Sequence, residues 1–138
     1  EVILGDGRIE LENYRSEPFD CLVIDAFTGD AIPAHLITEE AMKLYLTKLT
    51  PDGILAVNIS NRHASLDRVM TSHLKNLGLF AARIRHAEPS PLGKYMSDWV
   101  LLSRNQAIVE ALGVDRYTPR EGAVRWTDDH APLLPILK

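Results

Sequence analysis

The feature that most constrains this 138-residue chain is a short apolar run that ends in an acid. Residues 21–24 read Cys-Leu-Val-Ile, and they are followed by Asp25 and a glycine-containing loop. An uninterrupted apolar run of this length is typical of a strand covered on both faces of a parallel sheet. Ligands of open α/β sheets bind beyond the carboxyl ends of the strands, so Asp25 is a candidate for chemistry. The alternative is that Asp25 only caps the loop or the helix that follows.

Apolar strands and helical patterns alternate along the rest of the chain, which predicts an α/β fold with a mostly parallel sheet and crossover helices. Thr38 is a predicted helix N-cap, and Gly78 is placed to end a helix. The Thr-Pro-Asp-Gly sequence at 50–53 predicts a turn in which glycine adopts a positive φ. A loop joins the last two core strands, which predicts an antiparallel hairpin at one edge. Strands are predicted at 21–24, 54–59, 79–85 and 98–103, and helices at 8–14, 39–49, 66–77 and 106–112.

Composition places the chain among ordinary globular domains and excludes some functions. Hydrophobic residues make up 46% of the sequence, and no apolar run approaches the ~20 residues of a membrane-spanning helix. The net charge of -4 argues against a nucleic-acid partner. The single cysteine, Cys21, excludes an internal disulfide, and its apolar strand indicates a small core residue and not a nucleophile. This pattern favours a cytoplasmic location.

The first residues, Glu-Val-Ile-Leu at 1–4, look like the end of a strand already under way. We therefore expect residues 1–138 to be a single domain that is a fragment of a longer protein. A sheet that lacks its preceding strands has an open edge, and open edges favour pairing with another chain. A homo-oligomer, most simply a dimer, is the prediction.

Four short motifs stand out along the chain. Gly-Asp-Gly stands at 5–7, Asp-Ala-Phe-Thr-Gly-Asp stands at 25–30 with Ile-Pro after it, Pro-Asp-Gly stands at 51–53, and Trp-Thr-Asp-Asp stands at 126–129. Together they resemble the aminopropyltransferases, the spermidine synthase family, whose fold is that of the S-adenosylmethionine-dependent methyltransferases. The resemblance makes residues 1–138 the C-terminal part of a domain of that fold whose N-terminal strands are missing. Some similar proteins are fused to membrane segments. The resemblance implies a three-layer, Rossmann-like fold and aminopropyl transfer from decarboxylated S-adenosylmethionine to putrescine.

The resemblance also implies where the aminopropyl donor binds. Asp6 and Gly7 correspond to the residues that contact its adenine, and Ala26 is a further candidate for the donor site. The family's glycine-rich nucleotide loop and the acid that binds ribose belong before residue 2, outside this sequence. The nucleotide is a co-substrate, so no permanently bound cofactor is implied.

On the acceptor side, the resemblance makes Asp25 the catalytic base. The family usually carries a second acid three residues later, where this chain has Thr28; the next acid is Asp30, our candidate anchor for the polyamine. Tyr95, in the loop before the last strand of the hairpin, is a candidate for lining the substrate pocket. The alternative for Asp30 is that it caps the turn leading into the following proline.

The chemistry of aminopropyl transfer suits a pair of carboxylates. An alkyl amine has a pKa of ~10.4 and is protonated at neutral pH, so a carboxylate that holds it and accepts its proton assists attack. The sulfonium of the donor is already a good leaving group, and no metal is implied. Asp128, Asp129 and His130 suggest a metal cluster, but a cap or docking segment is the favoured interpretation. Two other functions stay open: an S-adenosylmethionine-dependent methyltransferase and a non-catalytic interaction domain.

Overall fold

A computed structural model describes residues 1–26, 32–86 and 97–138 of the chain. These residues form an open, five-stranded mixed sheet flanked by helices. Short 3₁₀ turns occupy Ala34–Leu36 and Leu134–Ile136. In chain order the elements are α1 (Gly7–Asn13), β1 (Phe19–Ile24), α2 (Glu39–Thr47), β2 (Leu49–Asn58), α3 (Asp67–Leu77), β3 (Phe80–His86), β4 (Ser97–Ser103), α4 (Gln106–Ala111) and β5 (Asp115–Arg116).

The strand order across the sheet is β1-β2-β4-β3-β5. The β1 and β2 strands pair in parallel, while β4 is antiparallel to both β2 and β3, and β5 is antiparallel to β3. Three strands therefore run in one direction and two in the other. The α/β class is confirmed, but the sheet is mixed and not mostly parallel, since β1 with β2 is the one parallel pairing among the described strands. The predicted hairpin of β3 and β4 is also confirmed, but β4 lies inside the sheet between β2 and β3, and the short β5 takes the edge.

One face of the sheet carries the main core, because alternate strand residues point to the same side. The side chains at this face are contributed by neighbouring strands at matching register positions and by the buried faces of α2 and α3. The members that are almost wholly inaccessible include Leu55, Val57, Val100, Leu102, Met42, Tyr45, Val69 and Met70. The hydroxyl of Tyr45 donates a hydrogen bond to the carbonyl of Leu36 at 3.0 Å.

The strand before Asp25 is an edge strand, and the prediction that it is covered on both faces is wrong. Ile24 is buried, but Val23 is 53% exposed and Cys21 is exposed. Cys21 and Val23 point away from the core formed by α2 and α3, and no described element covers them there. Cys21 is therefore not a core residue. The open edge of β1 agrees with the expected unpaired edge, and the dimer stays a prediction.

Local signals at helix ends were reliable, whereas the first residues were misread. Thr38 caps α2 by accepting a hydrogen bond from the backbone N–H of Ala41 at 3.3 Å. Gly78 ends α3 with a φ of 63°. Residues 1–4 form no strand, and Val2 and Leu4 are 88% and 91% exposed.

None of the helices in the described parts of the chain combines the length and apolar character needed to cross a bilayer.

The Thr-Pro-Asp-Gly sequence does not form a separate turn before β2, as predicted, but lies within that strand. The pairing of β1 with β2 shifts there, because Phe19 pairs with Leu49 but Cys21 already pairs with Ile54. Gly53 is not among the glycines with positive φ. A Cβ atom at Gly53 would lie 3.0 Å from the Leu49 Cβ and 3.1 Å from the carbonyl oxygens of Phe19 and Thr50. Glycine is needed there for close approach of the backbone.

We predict that Gly53→Ala lowers the free energy of unfolding by about 1–3 kcal/mol, because the added methyl group forces two backbone oxygens apart. Gly7→Ala is the control: no atom lies within 4 Å of a Cβ at that position, which is the first residue of α1. Its effect should stay within about 0.5 kcal/mol. Urea titrations of both variants compare the two costs. Equal stabilities for the two variants would contradict a role for close approach.

Candidate functional site

The register of the parallel pair β1 and β2 places Asp25 beside Asn58. Ile24 pairs with Val57, so the next residue of each strand stands at the same carboxyl edge of the sheet. The Nδ2 group of Asn58 donates a hydrogen bond to Oδ1 of Asp25 at 2.8 Å. Asp25 is exposed, so its carboxylate is accessible from solvent. The sequence-predicted candidate therefore lies where a ligand of an open α/β sheet binds.

Asn58 was missed by the sequence analysis, although it lies in the strand predicted at 54–59. Asn58 was passed over because it stands inside the apolar run that marks the strand. A signal was present: it is the one polar residue among positions 54–59. Ser60 does belong to the site, whereas Oδ1 of Asn61 accepts hydrogen bonds from the backbone N–H groups of His63 and Ala64 and so shapes the next loop.

Ser60 connects Asn58 to the β3–β4 hairpin. Its hydroxyl donates to Oδ1 of Asn58 at 2.6 Å, and its backbone N–H donates to the same oxygen at 3.0 Å. The Ser60 hydroxyl oxygen in turn accepts the backbone N–H of Asp98 at 2.9 Å. The backbone N–H of Ile59 also donates to the Asp98 carbonyl at 2.8 Å. The end of β2 is thus tied to the start of β4.

Arg83 holds Asp98, the residue of β4 to which Ser60 is hydrogen-bonded. Its Nε donates to Oδ1 of Asp98 at 2.7 Å and its Nη2 to Oδ2 at 2.5 Å, which is a bidentate ion pair. The same guanidinium pairs with Asp67, in the first turn of α3, at 3.1 Å. Hydrogen bonding to Asp98 raises the pKa of Arg83. Burial raises the pKa of Tyr117, whose hydroxyl donates to the Asp67 carbonyl, to about 12.

Asp6 caps helix α1, a role that sequence reasoning did not consider for it. Its Oδ1 accepts the backbone N–H groups of Arg8 at 2.9 Å and Ile9 at 3.1 Å. The hydrogen bond from Ile9 lowers the pKa of Asp6, and His35 contributes in the same direction. His35 Nε2 lies 2.9 Å from Oδ2 of Asp6. Asp6 and Gly7 therefore stand at the N-terminus of α1, in contact with the segment that leads from β1 into α2.

The Trp-Thr-Asp-Asp motif at 126–129, which we call the clasp, is hydrogen-bonded to the first turn of α1 and to the N-cap of α2. Asp128 accepts a bidentate pair from Arg8, with Nη1–Oδ1 at 2.7 Å and Nη2–Oδ2 at 2.6 Å. The Thr38 hydroxyl also donates to Oδ1 of Asp128 at 2.7 Å. Hydrogen bonding to Arg8 lowers the pKa of Asp128 to about 2. The motif thus joins the N-termini of α1 and α2, which agrees with the docking interpretation.

Two further contacts fasten the same segment to the start of α2. The backbone N–H of Glu39 donates to the carbonyl of Trp126 at 2.8 Å, and Trp126 is 2% exposed. Glu39 is buried as well, and its carboxylate pairs with Arg125 at 2.7 Å and with Lys43 at 2.8 Å. The guanidinium of Arg125 holds the pKa of Glu39 far below its usual range. An acid that stays charged at neutral pH therefore anchors the clasp.

The described structure places the predicted site residues in two separate groups. Asp25 meets Asn58, and Asp6 meets His35, but no hydrogen bond among the described residues joins these two pairs. Ala26 is exposed immediately after Asp25. Asp30 and Tyr95, the two predicted acceptor-side residues, lie outside the described residues. Within residues 1–26, 32–86 and 97–138, no group of three or more His, Cys, Asp and Glu side chains is placed to hold a metal ion.

The sequence is similar to a curated enzyme of polyamine metabolism. It is 27% identical over 81 residues, 57% of the chain, to the polyamine aminopropyltransferase of Vibrio vulnificus. The chain spans about a quarter of that protein's length, 27%. No protein-family model matches the chain.

Solved structures agree on the fold. A probable spermidine synthase from Corynebacterium glutamicum superposes with a TM-score of 0.58 at 21% identity, covering 95% of this chain and 55% of that protein. MnmC2 from Aquifex aeolicus gives a TM-score of 0.52 at 21% identity, covering 83% of this chain and 35% of that protein. The chain thus shares the fold of these two proteins, and part of its sequence is similar to a polyamine aminopropyltransferase. It spans about half the length of the Corynebacterium protein.

We predict that Asp128→Asn lowers the free energy of unfolding by about 1 kcal/mol at pH 7, a value limited by solvent screening of a pair that is partly exposed. The pKa of Asp128 falls from its usual 3.8 to about 2 on folding, so its stabilising effect is present above pH 4. That effect is lost as the pH falls from 4 through 2. Urea titrations of wild type and variant across this pH range measure it.

Asp129→Asn is the control for this prediction, because it removes an exposed carboxylate next to the clasp that has no hydrogen bond or ion pair in the described structure. Its stability should match the wild type at every pH. A stability difference for Asp128→Asn that stays constant from pH 7 to pH 2 would show that the ion pair with Arg8 is not the cause.

Proposed function

We propose that this chain carries the acceptor side and part of the donor side of an aminopropyltransferase site, in a protein that also supplies the rest of the nucleotide-binding sheet. The reaction is transfer of an aminopropyl group from decarboxylated S-adenosylmethionine to a polyamine of the putrescine type. The similarity to the polyamine aminopropyltransferase of Vibrio vulnificus supports this class. The observation that carries the proposal is the exposed Asp25 carboxylate, held by Asn58 at the carboxyl edge of two parallel strands.

Asp25 is proposed as the base. The bound ammonium gives one proton to Asp25, and the resulting neutral amine attacks the aminopropyl carbon next to the sulfonium. A C–N bond forms, the C–S bond breaks, and its electron pair leaves with sulfur as a neutral thioether. The product nitrogen is a secondary ammonium. A carboxylate facing the amine both attracts the cation and accepts this proton. Because Asn58 occupies only one carboxylate oxygen, the other oxygen is left for the amine.

Asp6, Gly7 and Ala26 are proposed to contact the nucleotide. Asp6 Oδ1 is committed to capping α1, so a hydrogen bond to adenine falls to Oδ2, which now pairs with His35. That pair is half-exposed, with side-chain exposures of 49% for His35 and 36% for Asp6. Replacing the contact with His35 by a hydrogen bond to adenine therefore costs little free energy. The lack of a side chain at Gly7 leaves open space beside the helix N-terminus.

Asp30 and Tyr95 are proposed to bind the polyamine, Asp30 by pairing with its distal ammonium and Tyr95 by lining the pocket. The second candidate reaction is methyl transfer from S-adenosylmethionine itself. A methyltransferase must accommodate the carboxylate of the methionine part of that molecule, and acids near the sulfonium repel it. The two reactions are therefore separated by which sulfonium compound is consumed.

We predict that Asp25→Asn, made in the intact protein, lowers kcat for aminopropyl transfer by about 10²–10⁴-fold, because the amide cannot accept the proton. The measurement is methylthioadenosine formation with putrescine as acceptor. Asp20→Asn is the matched control, since Asp20 stands at the opposite end of β1 and its carboxylate accepts a hydrogen bond from the Thr50 hydroxyl at 3.1 Å. Loss of activity in both variants, or consumption of S-adenosylmethionine in place of its decarboxylated form, would contradict the proposal.

A second prediction concerns the donor side. Asp6→Ser retains an N-cap for α1, because serine is among the preferred capping residues, but it removes Oδ2. The loss of a hydrogen bond to a charged group should weaken methylthioadenosine binding by about tenfold or more. Calorimetry on the intact protein measures the affinity, and Asp128→Asn tests whether loosening the helix alone has the same effect. Unchanged binding in Asp6→Ser would leave Asp6 with the capping role alone.

A further inference from the structure

We propose that Asn58 is a positioning residue that fixes the orientation of the Asp25 carboxylate, and that Ser60 sets the orientation of the Asn58 amide. The first step rests on the contact at 2.8 Å between Nδ2 of Asn58 and Oδ1 of Asp25. The proposal deepens the proposed function, since it assigns a second residue to the base, but the orientation itself is a property of the folded chain and is tested without any reaction.

The orientation of the Asn58 amide follows from its partners. An asparagine side chain has one acceptor oxygen and one donor nitrogen, so its neighbours decide which way it points. Two donors converge on Oδ1 of Asn58: the Ser60 hydroxyl at 2.6 Å and the Ser60 backbone N–H at 3.0 Å. A flipped amide would place its N–H₂ group against the backbone N–H donor of Ser60. The nitrogen is therefore directed at Asp25.

The orientation of the Ser60 hydroxyl is itself fixed by a hydrogen bond from a neighbouring strand. Its oxygen accepts the backbone N–H of Asp98 at 2.9 Å, and its hydrogen is then left for Oδ1 of Asn58. Asp98 is held in place by the bidentate pair with Arg83. The orientation of Asp25, on an edge strand, is thus determined by hydrogen bonds that begin in the interior strand β4.

This arrangement gives the Asp25 carboxylate a fixed orientation, which a base needs in addition to the right position. One oxygen is fixed by a neutral donor, and within the described residues the other has no hydrogen-bond partner. A carboxylate that is free to rotate presents its lone pairs to the amine only part of the time, and misalignment lowers the rate of a reaction between bound groups. Asn58 therefore acts on the rate of proton acceptance and not on the affinity for the amine.

The kinetic test uses Asn58→Leu, which keeps the size of the side chain and removes the donor. In the intact protein we expect kcat to fall by about tenfold, the usual effect of losing one hydrogen bond to a charged group, while KM for the amine stays nearly unchanged. In an Asp25→Ala background the same substitution should have no further effect, because Asn58 acts through Asp25. Additive losses, or a change in KM alone, would overturn the proposal.

Ser60→Ala should give a smaller loss of kcat, since it removes one of the two donors that orient the amide. Ser103→Ala is the matched control: Ser103 is a buried serine whose hydroxyl donates to the Gly53 carbonyl at 3.0 Å, at the other end of the sheet. It should lower stability without changing kcat. A fall in kcat in Ser103→Ala equal to that in Ser60→Ala would mean that general loosening, and not the amide, is responsible.

A spectroscopic test separates this inference from the proposed function. The side-chain amide signal of Asn58 in a ¹⁵N correlation spectrum is assigned by its disappearance in Asn58→Leu. We expect Asp25→Ala and Ser60→Ala to shift it and Ser103→Ala to leave it in place. If the intact wild-type protein performs no aminopropyl transfer but the signal shifts as expected, the proposed function fails and the orientation stands. A signal unmoved by Asp25→Ala overturns the inference even in an active enzyme.

Discussion

The site depends on the parallel register of β1 and β2. Ile24 opposite Val57 is a pairing of two buried apolar side chains, and it forces the next residues, Asp25 and Asn58, to stand side by side. A slip of one residue would move every side chain of β1 to the other face and expose Ile24. The hydrophobic effect in the core thus selects the register, and the register brings the polar pair together.

The second constraint is a set of charges that hold the C-terminal segment against the helix starts. Glu39 is 4% exposed yet remains ionised, because Arg125 and Lys43 supply opposite charges. Removing one partner of a buried pair leaves an uncompensated charge, which costs more than the pair itself contributes. Asp128 with Arg8 repeats this arrangement closer to the surface. The segment therefore restrains the N-terminus of α1, where Asp6 stands.

The helix ends were predictable from the sequence because they depend on nearby residues. Features that depend on pairing between distant strands were not predictable in this way. Thr38 and Gly78 act through atoms within a few residues, so their capping roles could be read from the sequence. Cys21 was misplaced because the exposure of a strand depends on what covers it, which no property of the strand itself reveals. Asn58 was missed for a similar reason: its meaning lies in a neighbour across the sheet. The fold class and the position of Asp25 at the end of a strand were therefore predictable, whereas the residue that donates a hydrogen bond to Asp25 was not.

The group that donates a hydrogen bond to Asp25 is the neutral amide of Asn58, and its neutrality has a chemical consequence. The hydrogen bonds that lead from Asp25 reach Arg83 only beyond Asn58, Ser60 and Asp98, and the charge of Arg83 is matched by carboxylates. A guanidinium in direct contact would neutralise the carboxylate and repel a cationic amine. A neutral amide orients the carboxylate and leaves its charge uncompensated. An exposed acid held in this way is suited to attract an ammonium group and then accept its proton, which is what aminopropyl transfer requires of it.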